Sequence, residues 1–237
     1  MLILALDTSS RAGSLALLRD TTILANRVSS GDEPYSVSVL RDTKELLDGA
    51  RISLEQIDLF AIDAGPGSFT GLRVGMTMVK GWAEIWEKPA AAVSGLEAMA
   101  AQVSPLVAPG SLIAAVMDAR RGQIFGGVFR SANDGSGMPD RIGEEVVATA
   151  DEFLQLLRSH LAESGLSIAC ISPESIRPSI ERQGVPRCRI EIVSSVLAPV
   201  IGQIGYAKAS RGDVVDALHL DANYIRRSDA EMNWKAG

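Results

Sequence analysis

Eleven residues, Gly65 to Gly75 (Gly-Pro-Gly-Ser-Phe-Thr-Gly-Leu-Arg-Val-Gly), hold the densest chemistry in the chain. They follow a strand-like apolar run, Leu59 to Ala64, and open a long apolar helical pattern. Unpaired backbone N–H groups collect at such a helix N-terminus and suit an anion. Gly65 and Gly67 permit positive φ, and Pro66 presets a tight turn between them. The segment nevertheless fails both common nucleotide fingerprints. It lacks the Lys-Ser/Thr that ends a P-loop, and Thr70 stands where a dinucleotide loop needs glycine. By spacing alone, a structural turn and an anion site are equally open.

The remaining reactive side chains are sparse. Ser68 lies in no Gly-x-Ser-x-Gly elbow and has no recognisable His partner. The 2 histidines, His160 and His219, are far apart in sequence and read as surface or satisfied structural residues. Cys170 and Cys188 form no Cys-x-x-Cys unit and read as inert thiols suited to a reducing cytoplasm. No catalytic residue and no metal ligand is assigned.

The elements that must position these residues follow from apolar patterning. Leu2–Leu6, Ser14–Leu18 and Thr22–Val28 read as an antiparallel meander around the loop Asp7 to Gly13. Asp32-Glu33-Pro34 supplies an acidic helix start, with Pro34 in the first turn, for a helix running to about Leu47 and stopping near Gly49. A strand at Leu59–Asp63, a helix at Leu72–Trp86, a strand at Ala90–Val93 and a helix at Ser94–Val103 complete a first half, residues 1–107. Pro105 to Gly110 punctuates the middle. In the second half, 108–237, strands are expected at Leu112–Met117, Gln123–Phe129, 167–171 and 189–193, and helices at 150–161 and 195–210, with a polar loop at Ser131–Gly137. Periodicity indicates an α/β protein with two lobes.

Composition bounds the function. Net charge is −6 and the pI about 5.0, with 23 Lys and Arg against 29 acids. A protein gripping RNA by itself shows a basic stripe, and the densest basic spot here is Arg226-Arg227. No apolar run reaches membrane-spanning length, because Arg19, Arg73, Lys80 and Glu84 interrupt the candidates. No basic segment precedes the first apolar run, which argues against a signal peptide.

Further landmarks are Met1-Leu2-Ile3-Leu4-Ala5-Leu6-Asp7-Thr8-Ser9, Lys80-Gly81, Ser94-Gly95-Leu96-Glu97-Ala98, Asp118-Ala119-Arg120-Arg121-Gly122-Gln123-Ile124-Phe125 and Asn223-Tyr224-Ile225-Arg226-Arg227. With them, and with the 65–75 block, the chain resembles the TsaB (YeaZ) family, which helps make threonylcarbamoyladenosine beside the tRNA anticodon. The likeness covers nearly the whole chain. It implies the duplicated two-lobe fold of the actin/Hsp70/sugar-kinase superfamily (actin-like, ribonuclease H-like), with an abbreviated second lobe whose last helix and tail pack back on the first. Asp7 and Asp118 would open the two halves as counterparts. Asp7, Thr8 and Ser9 would occupy the first phosphate loop, with Asp118 and Arg120 near the second. Working ATPases of this superfamily carry Gly where Ser9 stands, and a Cβ there restricts backbone approach to a phosphate. Asp7 has the alternative of capping its own loop.

The resemblance further implies a non-catalytic subunit that binds and stabilises a larger TsaD-like catalytic paralogue. A TsaE-like ATPase would join the pair, and a TsaC-like protein would supply threonylcarbamoyl-AMP. Contact with tRNA would be indirect, the location cytoplasmic and the isolated chain a homodimer. No cofactor would be tightly bound, with ATP or ADP at the subunit interface. The catalytic relatives carry a metal-binding His-x-x-x-His pair that is missing here, and Tyr35-Ser36 replaces the family's usual His-Ser. The alternative is an ATP-binding enzyme of the same fold, an ATPase, kinase or M22 glycoprotease-like peptidase; a third is an inert homodimer.

Helix 72–86 carries one narrow polar stripe, Arg73, Thr77, Lys80, Glu84 and Glu87, and is otherwise apolar or small. A helix lying on its own sheet needs an apolar face of only about 100°. The excess predicts a second partner, an internal layer or another protein. Since the family pairs through its first-lobe helices, Tyr35, Val39, Leu72, Arg73, Gly75, Met76, Val79 and Trp82 are the expected interface residues.

Overall fold

A computed structural model describes residues 1–225 apart from 12, 30, 32, 134–136, 159–164 and 186. Asp32, His160, Arg226, Arg227 and part of the 131–137 loop therefore lie outside the described residues. The first half reads β1 (Leu2–Asp7), β2 (Ser14–Arg19), β3 (Thr22–Val28), α1 (Tyr35–Ala50), β4 (Leu59–Gly65), α2 (Phe69–Ile85), β5 (Ala90–Ser94) and α3 (Gly95–Val103). The second reads β6 (Leu112–Arg120), β7 (Gln123–Arg130), β8 (Asp140–Thr149), α4 (Ala150–Arg158), β9 (Leu166–Cys170), α5 (Arg177–Gln183), β10 (Cys188–Ile192) and α6 (Ala198–Ser210).

The two sheets repeat one topology. Their strand orders are β3-β2-β1-β4-β5 and β8-β7-β6-β9-β10. In each, the first strand pairs antiparallel with the second and parallel with the fourth. β1 and β4 are buried along their whole length, as expected of continuous apolar runs in the middle of a covered sheet.

Three apolar clusters define five layers. Val39, Leu46 and Leu47 of α1 and Met76, Val79 and Trp82 of α2 cover the outer face of the first sheet. Phe153, Leu154 and Leu157 of α4, with Ile180 of α5, cover the outer face of the second. Between the sheets lie α3 and α6, packed on each other and on the inner residues Ile3, Ala5, Leu18, Ala61, Ile113, Ala115 and Phe129. The helices are exchanged. α6 packs on β1, β2 and β4 of the first sheet, whereas α3 packs mainly on β6, β7 and β9 of the second.

Some expectations shift. α2 starts at Phe69 rather than Leu72, because Ser68 Oγ accepts the Gly71 N–H at 3.3 Å and caps the helix. Pro34 is the N-cap of α1 rather than part of its first turn. The last helix starts at Ala198, with Pro199 in its first turn. β8 and α5 were not anticipated.

Candidate functional site

The apolar β1 strand delivers Asp7 to its C-terminal end, and the loop that follows is held by its own side chains. Asp7 Oδ1 accepts from Ser9 N at 2.8 Å and from Ser9 Oγ at 2.7 Å, the self-capping arrangement. Tyr35 Oη accepts from Gly13 N at 2.6 Å and donates to the Ser10 carbonyl. Tyr35 thus sews the loop shut from α1. A phosphate loop works by presenting free amides. Here the Ser9 and Gly13 amides are engaged and Asp7 and Ser9 are buried, so these two amides are not free to meet a phosphate in this conformation.

The glycine signature seats α2 on that loop. Thr8 Oγ1 donates to the Gly71 carbonyl at 2.8 Å, and Ser68 N donates to the Ser9 carbonyl at 2.7 Å. A Cβ on Gly71 would lie 2.0 Å from the Thr8 carbonyl oxygen, and one on Gly75 would lie 2.3 Å from Thr8 Oγ1. Gly65 turns at φ 107° and is followed by a cis bond to Pro66. The Gly65, Ser68 and Gly71 amides bond within the chain, as a tight joint requires.

Beside Asp7, on β4, lies Asp63, a residue the sequence reading passed over. Both carboxyls are buried, at 2% and 0% exposure. Asp63 Oδ1 accepts from Gly65 N at 2.7 Å, whereas Oδ2 has no hydrogen-bond partner. Burial raises both above the usual carboxylate range, and the Asp7 charge pushes Asp63 further.

Asp118 is no buried counterpart of Asp7. It is exposed beside the β6–β7 hairpin, and its Oδ1 accepts from Arg120 N at 2.7 Å. The tight turn there puts Arg120 and Arg121 at φ 61° and 58°. A cleft of about 710 Å³ lies elsewhere and includes none of Asp7, Thr8, Ser9, Asp118 or Arg120. It is framed by Glu97 of α3, Arg141 and Glu144 of β8, and Lys208 and Arg211 around the end of α6. Burial raises Glu97 while Lys208, Arg141 and Arg211 pull it down. At its wall, buried Glu145 accepts from Ser94 Oγ and from Asn223 Nδ2, the latter at 2.8 Å. These residues come from elements far apart in sequence, so no local motif announced them.

Most expected interface residues are already covered. Val39, Leu72, Gly75, Met76, Val79 and Trp82 are buried within the chain, the Trp82 ring 5.9 Å from that of Phe60. The outward face is different. Val37 and Leu40 of α1 are 58% and 51% exposed, and Ile85 of α2 is 69% exposed. A groove of about 440 Å³ is lined by Ser36 of α1 and by Phe69, Thr70, Arg73, Val74 and Met78 of α2, among others. The Arg73 guanidinium lies 3.8 Å over the Phe69 ring, which also contacts Tyr224 at 5.3 Å between centroids.

Ser68 acts as a helix cap, and exposed His219 pairs with Asp216 at 2.7 Å. Burial pushes the Cys170 thiol up and Cys188 up to about 11. Among the described residues, no group of three or more His, Cys, Asp or Glu is placed to hold a metal ion, and no helix is long and apolar enough to cross a membrane.

Comparison with known proteins agrees with this geometry. Residues 22–182 match the family model described as TsaD, tRNA N6-adenosine threonylcarbamoyltransferase. The tRNA threonylcarbamoyladenosine biosynthesis protein TsaB of Bacillus subtilis is 31% identical over 67% of this chain and 66% of its own length. The protein of the same name from Haemophilus influenzae is 28% identical over 98% of this chain and 95% of its own. A Pseudomonas aeruginosa structure described as similar to peptidase YeaZ superposes with a TM-score of 0.78 at 25% identity, covering 95% of this chain and 99% of that one. In fold alone the likeness extends to the ROK hexokinase of Thermus thermophilus, with a TM-score of 0.50 at 13% identity over 88% of this chain and 100% of that one. The two-lobe architecture is therefore actin-like.

Proposed function

The chain belongs to the TsaB (YeaZ) group of the TsaD family, and from that premise we propose that it is a non-catalytic subunit in the synthesis of threonylcarbamoyladenosine on tRNA. The names of its TsaB relatives support the pathway. The observation that carries the subunit role is the outer face of α1 and α2. Val37, Leu40 and Ile85 leave apolar side chains exposed on the same two helices that line an apolar groove, and exposed apolar surface of this kind marks protein–protein sites. We assign this face to a TsaD-like catalytic paralogue, and to a second copy of the chain when that partner is absent. A TsaE-like ATPase would join the assembly, tRNA would be held by the partner, and all would act in the cytoplasm.

The engaged amides of the 7–13 loop favour this reading over an autonomous ATPase or kinase. ATP or ADP would be engaged only at the junction with the partner. The thin inventory of nucleophile, base and metal ligands likewise favours a supporting role over peptidase chemistry.

The test is Ile85→Glu together with Leu40→Glu, both at exposed positions where substitutions change stability by only about 0.5 kcal/mol. Light scattering should show the homodimer lost, calorimetry should show weaker binding to the cognate TsaD-like protein, and the reconstituted transfer to tRNA should fall. Unchanged pairing and transfer would refute the reading.

A further inference from the structure

We propose that Asp63 is held as a neutral acid that donates its proton to Asp7, and that this shared proton keeps the β1 loop seated beneath the N-terminus of α2. β1 and β4 run parallel with Leu6 opposite Ile62, which brings Asp7 and Asp63 side by side one residue further on. Neither reaches water. Two ionised carboxylates in contact and out of water repel without compensation, so such pairs bind a proton between them.

The hydrogen-bond accounting places the proton. Asp7 Oδ1 already receives two donors from Ser9, and Asp63 Oδ1 receives Gly65 N. Asp63 Oδ2 is the atom left without a donor. As an ionised oxygen it would be an orphan, whereas as O–H it becomes a donor with the Asp7 carboxylate as acceptor. That oxygen is shut off from solvent, with Gly95 of α3 packed beside it.

Among the described residues, the neighbouring elements supply no opposing cation. The loop after β1 presents Thr8 and Ser9, α2 presents Gly71 and Gly75, and α3 presents Gly95. Among the described residues, Tyr35 of α1 also feels the Asp7 charge, and no Lys, Arg or His acts on either carboxyl. The proton is linked to α2 through consecutive residues. Asp7 holds Ser9, the Ser9 carbonyl holds Ser68 N, and Thr8 holds the Gly71 carbonyl. Asp63 is thus a positioning residue for the helix whose outer face carries the proposed pairing surface, although the proton itself does not depend on that function.

The folded state binds one proton more than the unfolded chain at every pH between the ordinary aspartate value of 3.8 and the raised native value. Stability from Asp63 is therefore fully present below that window and is lost as pH rises through it.

The test compares wild type with Asp63→Asn, whose amide can still donate to Asp7 without titrating. The wild-type folding equilibrium constant should fall more steeply with pH than that of Asp63→Asn, by up to tenfold per pH unit within the window. Parallel profiles would overturn the proposal. A second measurement covers a variant that fails to fold. In wild-type protein labelled with ¹³C at aspartate carboxyls, one buried carboxyl should keep the chemical shift of a protonated acid at pH 7. Ionised shifts for both Asp7 and Asp63 at that pH would refute the shared proton.

Discussion

Gly71→Ala and Gly81→Ala make the same change on the same helix and should move stability in opposite directions. At Gly71 the added methyl would sit 2.0 Å from the backbone carbonyl oxygen of Thr8, in a loop fixed by buried hydrogen bonds. Overpacking of this kind costs about 1–3 kcal/mol. Moving Thr8 away also weakens its hydrogen bond to the Gly71 carbonyl, about 1 kcal/mol more. Alanine's helix propensity returns about 1 kcal/mol, so the net loss is about 1–3 kcal/mol. At Gly81 no atom lies within 4 Å of the added Cβ, and only the propensity gain of about 0.5–1 kcal/mol remains. Urea unfolding at matched protein concentration reads both values, with an unchanged m-value showing that the denatured state is the same. Thermal midpoints should separate by about 2–4 °C per kcal/mol. A Gly71→Ala protein as stable as wild type, or a common direction for the two variants, would refute the close seating of α2 on the β1 loop.

Phe153→Ala should lower stability by about 3–5 kcal/mol in the same urea assay, because the ring is buried at the centre of the outer cluster on the second sheet; a loss below about 1 kcal/mol would contradict that packing. The lone chain should bind tRNA weakly in filter-binding titrations, with a shallow salt slope of about −0.9 per phosphate neutralised. Tight binding that persists at moderate salt would mean that this chain grips the RNA itself.

The sequence displayed the strands of the first sheet because each is an apolar run bounded by polar turns, with Leu2 to Leu6 and Leu59 to Asp63 the plainest. β8 was hidden by its composition. Its stretch Asp-Arg-Ile-Gly-Glu-Glu-Val-Val-Ala-Thr lies at a sheet edge, where one row of side chains stays in water. Which side of α2 turns inward was hidden for a different reason. α2 has apolar residues on both sides, and periodicity does not say which side meets the sheet. The deciding residues are the small ones. Gly71 and Gly75 let the helix approach Thr8, which commits Leu72, Met76 and Val79 inward and leaves Ile85 outside. Asp63 did carry a signal, a lone acid inside Leu-Phe-Ala-Ile-Asp-Ala-Gly, but nothing local tied it to Asp7, 56 positions earlier.

The exchange of α3 and α6 bears on how the chain emerges from the ribosome. The inner face of the first sheet, with Ile3, Ala5, Leu18 and Ala61, is covered by a helix spanning Ala198–Ser210. Synthesis delivers that cover only after the whole second sheet has been translated. At about 5–20 residues per second, the more than one hundred residues separating β5 from the end of α6 leave the apolar face bare for several seconds. The first half therefore has no finished state of its own to reach while it waits. Its slowest contacts are those of longest sequence separation, so a premature stop before residue 198 would release a sheet with one oily side, a substrate for chaperones and proteases rather than a smaller working protein.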